Sequence, residues 1–99
     1  MDAPKSPADY LNDAADLIEK YGWHQFDFGD ETVGYCVLGA IRKAVPLDRV
    51  RYARRVLDAY AEIDARVKQD AAVWNDTPGR TKEEVLAALR GEDVVLQNQ

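Results

Sequence analysis

The 99-residue sequence holds one cysteine, Cys36, and one histidine, His24. A single thiol excludes an internal disulfide and any zinc site built on cysteine pairs. A single imidazole leaves only carboxylates to complete a metal's ligand set, and Asp27, Asp30 and Glu31 lack the regular spacing of a calcium loop. Neither a metal nor a cofactor is expected. No apolar run nears the ~18 residues that would suggest a membrane span. The opening "MDAPKSPADY" also lacks the basic stretch and hydrophobic core of a secretory signal. The expectation is a cytoplasmic protein without membrane contact. Repeats and low-complexity segments are missing as well.

Positive charge is short. Thirteen Lys and Arg face eighteen Asp and Glu, a net charge of −5, and such a balance opposes general affinity for nucleic acid phosphates. The distribution is uneven. Residues 1–32 carry eight acids and two bases, whereas residues 33–72 carry eight bases and five acids. Packing of the acidic first third beside the basic middle would let these fields partly cancel.

What remains is an ordinary globular composition, 46% hydrophobic and 31% charged, ordered by helical spacing. Ser6-Pro7-Ala8-Asp9 combines a cap, a proline suited to the first helical position and an acid in the first turn. Tyr10, Leu11, Ala14, Leu17, Ile18 and Tyr21 follow at intervals of three and four, and Gly22 supplies a stop. The segment "WHQFDFGDET", residues 23–32, reads as a loop whose aromatic rings fold back on the core. "VGYCVLGAIRKAV", residues 33–45, is apolar on nearly every face, and its length and alanines favour a buried helix over a strand. Gly34 and Gly39 would there permit close approach of a neighbouring helix or ring.

Asp48 predicts the cap of a helix of about twenty residues, ending near 70–73, with Val50, Ala53, Val56, Leu57, Tyr60, Ala61, Ile63 and Val67 as its inner stripe. Arg54–Asp58 and Glu62–Arg66 are spaced as pairs on its outer face. Thr81 and Glu84 form a capping box ahead of Val85, Leu86, Ala88 and Leu89, and Gly91 ends that helix. The fold class predicted is all-α: a compact single domain of about four helices with short loops, spanning residues 6–91. Residues 92–99 are expected to form a loose tail in which Val94, Val95 and Leu96 could dock.

Three groupings could carry function. Cys36 and His24 are the only conceivable thiol–imidazole pair, with Asp76 or Asn75 as a third member; a reactive cysteine needs a lowered pKa, and the apolar setting "GYCVLGA" argues instead for packing. Arg49, Arg51, Arg54 and Arg55, with Arg42 and Lys43 before them, suit an acidic partner, although no stacking aromatics or known motif accompany them as nucleic acid binding would require. The third is Trp74-Asn75-Asp76 ahead of the turn-forming Thr77-Pro78-Gly79-Arg80. There Arg80 could pair with Asp76 or with the acids of 27–31. The stretch is either a clasp joining two helices or, with Trp23 and Gln25, a polar recognition site for a protein partner or a second copy.

These last residues also carry a resemblance. Gly22-Trp23 then Gln25, the run Tyr35-Cys36-Val37-Leu38-Gly39-Ala40, and Trp74-Asn75-Asp76 followed by Pro78-Gly79-Arg80-Thr81 and Glu84-Val85 resemble an uncharacterised family of small proteins from actinobacteria and their phages. In that family a Gly-Trp-x-Gln loop, a Cys-x-x-Gly-Ala helix and a Trp-Asn-Asp linker recur in this order. The resemblance implies a domain of unknown function in a bacterial or phage-infected cytoplasm, with no assigned activity. Because the family pattern does not demand histidine at position 24, it weakens the cysteine-dependent hydrolase or transferase. The reading that follows is a non-enzymatic interaction or accessory protein using the surface near Trp23, Gln25, Trp74, Asn75, Asp76 and Arg80.

Overall fold

Ser6 opens the first helix, α1 (Pro7–Tyr21). Its hydroxyl accepts the Asp9 amide at 3.2 Å while the Asp9 carboxylate accepts the Ser6 amide at 2.9 Å, so each satisfies a donor that a first turn leaves free. Tyr10, Leu11, Ala14 and Ile18 are buried as the spacing requires, joined by Ala15. The structure, a computed structural model, describes residues 5–92. Apart from Glu92, the expected tail with Val94, Val95 and Leu96 lies outside the described residues.

Residues 33–45 are not a single helix. Gly29–Asp30 (β1) pairs antiparallel with Gly34–Tyr35 (β2), and Tyr35 also bridges Trp23. The helix α2 (Val37–Ala44) begins only after Cys36, its cap. Gly34 is the reason. It sits at φ +94°, and a Cβ there would lie 2.5 Å from the Gly22 carbonyl carbon, so the chain crosses the end of α1 in a conformation that no helix start allows. The close approach expected at Gly39 exists, but its partner is backbone: a Cβ would stand 2.1 Å from the Phe28 carbonyl oxygen.

The long helix is also divided. Asp48 caps a turn ahead of it, its Oδ1 accepting the Val50 and Arg51 amides at 2.9 and 3.0 Å, and α3 runs Tyr52–Val67. Its buried line is Val56, Ala59 and Ile63. Val50, placed in the turn where helical spacing does not apply, is 84% exposed, and Leu57, one position round from the narrow buried line, is exposed too. Lys68 ends α3 at φ +62°, after which the Asp70 carboxylate accepts the Ala72 and Val73 amides and starts α4 (Ala71–Asn75). Trp74-Asn75-Asp76 therefore forms the end of a short helix and its cap, not a linker. The capping box at Thr81 and Glu84 opens α5 (Lys82–Arg90), with bonds of 3.0 and 3.1 Å.

The described residues thus form five helices and one small hairpin, with α1 at the centre, packed on α2, α3 and α5. The acids of α1 are not matched by the basic middle. Arg90 of α5 reaches Asp16 and Glu19 at 2.8 and 2.9 Å, Lys5 pairs with Asp13, and Glu31–Lys43 at 3.9 Å is the one ion pair between the first third and residues 33–72 among the described residues. Glu62–Arg66 forms at 3.2 Å, while Arg54–Asp58 makes no ion pair there.

Candidate functional site

The loop after α1, the start of α2 and the end of α4 meet at Asn75, whose side chain is wholly buried. Its Oδ1 accepts from the Trp23 indole at 2.8 Å and from the Val37 amide at 3.1 Å. Its Nδ2 donates to the His24 carbonyl at 3.1 Å and to Asp76 Oδ1 at 2.9 Å. All four bonding positions of the amide are used, the condition under which a buried polar side chain stabilises a fold. Gln25 adds a bond from Nε2 to the Asn75 carbonyl at 3.0 Å.

Asp76 is half-buried, and its Oδ1 also accepts the Phe26 amide at 2.9 Å. The expected Asp76–Arg80 pair is not formed. Arg80 instead donates from Nε to the Trp74 carbonyl at 2.9 Å, stacks 4.2 Å over the Trp74 ring and reaches Glu84 at 3.3 Å. The polar ends of Trp23 and Gln25 thus turn inward onto Asn75, while Arg80 turns onto Trp74 and Glu84, and the motif acts as a clasp between the hairpin loop, α2 and the α4–α5 turn. Residues far apart in the chain are brought together, and the Asn75 amide and the Trp23 indole spend their bonds on one another, on the backbone around them and on Asp76.

What the clasp holds outward was not read from the sequence. Of the three aromatics expected to fold back, only Trp23 packs against the core. Phe26 is 77% exposed and Phe28 48%. Phe26 also sits at φ +82°, a region costly for a bulky side chain and tolerated where the surroundings impose it. Here Asp76 imposes it through the Phe26 amide. The two rings border a cavity of about 370 Å³ floored by Cys36, Leu38 and Ala72, with the carboxylates of Asp27 and Asp76 at its edge. The alternation Phe26-Asp27-Phe28 before Gly29 is the only sequence signal for it.

Cys36 caps α2, its Sγ accepting the Gly39 amide at 3.3 Å. Burial pushes its thiol up from the ordinary range, and the nearby negative charge of Asp76 and Asp27 adds to the shift. That is the reverse of what activates a nucleophile. His24 bonds Asp27 at 2.7 Å and makes no hydrogen bond to Cys36 among the described residues. The arginines of the second grouping surround aliphatic side chains: Leu47, 90% exposed, and Val50 stand between them, and Arg51 leans on Asp48 at 3.6 Å.

Fold and junction together define a small, mostly helical domain whose most polar motif is internal scaffolding, and no helix among the described residues is long and apolar enough to cross a membrane. The chain belongs to a family of unknown function, DUF6197, whose family model matches residues 2–91. The resemblance to a family without assigned activity therefore holds. Comparison with curated proteins gave no match, and comparison with solved structures gave none either.

Proposed function

We propose that this protein is a non-enzymatic interaction protein of the bacterial cytoplasm, encoded by an actinobacterium or its phage, and that it docks an apolar side chain of a protein partner between Phe26 and Phe28. The observation that carries the reading is Phe26 itself. An aromatic ring held in solvent, on a backbone conformation that costs free energy, needs a reason outside the fold. The Trp-Asn-Asp clasp supplies rigidity: Asp76 fixes the Phe26 amide, and the Phe28 carbonyl accepts the Cys36 amide at 3.2 Å, so both rings keep their spacing before a partner arrives. Preformed apolar concavities with a few polar groups at the edge are the usual form of such sites.

Photocrosslinking tests this directly. A benzophenone amino acid in place of Phe26 is expected to give a discrete protein adduct in bacterial cells, and the same group in place of Leu57, on the exposed face of α3, none. Equal smears from both positions, or no adduct from either, would overturn the reading.

A further inference from the structure

The corner between α2 and α3 has the opposite character to the groove. Leu47 and Val50 are the two most exposed large hydrophobic residues described, at 90% and 84%. Exposed arginines, Arg49, Arg51 and Arg54, flank them. Arg49 and Arg54 make no ion pair among the described residues, and the one acid in the corner, Asp48, is spent on the amides of Val50 and Arg51. The groove is concave and apolar, and its lining includes two acids, Asp27 and Asp76; the cations near it are already engaged, Arg42 over the Phe28 ring at 4.7 Å and Lys43 with Glu31 at 3.9 Å. One surface presents two exposed aliphatic side chains among arginines. The other is an apolar hollow with two acids, Asp27 and Asp76, in its lining.

We propose that these two surfaces are halves of one interface, so that the partner seated between Phe26 and Phe28 is the Leu47–Val50 corner of a second copy of this chain; this rests on the docking reading above. Size permits it, since a cavity of roughly 150 Å³ already admits a benzene-sized group and the groove offers about 370 Å³. A single copy cannot satisfy itself. The groove lies at the Cys36 end of α2 and the corner beyond its Ala44 end, and eight helical residues separate the two by roughly 12 Å. Each bound copy keeps one free groove and one free corner, so the contact is head-to-tail and grows into chains or closes into rings.

Sedimentation velocity over a range of protein concentrations provides the test, because a head-to-tail contact can be rebuilt from two broken halves. Wild-type protein is expected to associate more strongly at about 50 mM than at about 500 mM salt, where surface charges are screened within a few ångströms. Leu47→Asp/Val50→Asp and, separately, Phe26→Asn should each weaken association about tenfold or more. Asparagine tolerates the left-handed backbone better than phenylalanine does, and Phe28→Ser serves as a second groove variant. Mixing a corner variant with a groove variant should restore one interface and stop at a one-to-one dimer.

Wild-type protein that stays monomeric at the highest concentration, or a mixture that fails to pair, would overturn the proposal. Binding of the monomer to phosphatidylglycerol vesicles through Leu47 and Val50 would do the same, by assigning the corner to a lipid surface. Monomeric protein whose benzophenone at Phe26 still captures a different protein defeats self-pairing alone. Absence of any adduct defeats the docking reading as well.

Discussion

Asn75 and Asp76 are neighbours with different work to do. Asn75→Ala would strand the half-buried Trp23 indole and the buried Val37 amide, at about 1–3 kcal/mol each. Against a total stability of about 5–15 kcal/mol, that is enough to lower the urea midpoint markedly. Asp76→Asn keeps an acceptor for the Phe26 amide and breaks no pair with Arg80, so its cost should stay near 1 kcal/mol. Cys36 acts through its proton. The unfolded chain releases it near pH ~8.5, whereas burial holds it to higher pH in the fold. The folded state then binds more protons in that interval, and stability falls as pH rises through it. Cys36→Ala should flatten this alkaline decline in denaturation curves recorded above about pH 8.5; an unchanged slope would assign the decline to Tyr35 and Tyr60, whose hydroxyls burial also pushes up.

Helix α2 shows how an element can depend on a missing side chain. Gly→Ala inside a helix ordinarily stabilises by about 1 kcal/mol. At Gly39 the added methyl would meet the Phe28 carbonyl oxygen, and moving that strand of loop should turn the gain into a loss of about 1–3 kcal/mol, read as a lower melting temperature. The same change should also weaken whatever the Phe26–Phe28 groove binds. The elements legible in the sequence were those with local causes: α1 and α5 each carry a reciprocal capping box, and both follow their expected spans. The middle was not legible from local spacing. An apolar run from Val33 to Val45 has the same periodicity whether or not Gly34 turns left-handed, and α3 stops at Lys68 in a conformation that no glycine announces. The clasp was readable as a choice between two roles. Its outward product, the exposed Phe26 and Phe28, was not, because aromatic rings in a loop more often mark the core, and only the Asp76 bond to the Phe26 amide shows otherwise.

At the scale of the molecule, α5 is held at both sides of its last turn. Arg66 of α3 donates to the Ala88 and Leu89 carbonyls at 3.0 Å each, where a cation also suits the negative end of the helix, and Arg90 crosses to α1. The basic charge of the chain is thereby sorted: part is spent fastening α5, and part is left at the α2–α3 corner. The Asn75 bonds to Trp23, His24 and Val37 cross 38 to 52 residues of sequence. Contacts of such separation form only after the intervening loops have closed, so the junction completes late in folding. The Trp23 indole and the Val37 amide share a single acceptor atom there, Asn75 Oδ1. Exchange of either hydrogen with solvent requires that atom to let go, and the two slow protons, 14 positions apart on different elements, time the same opening.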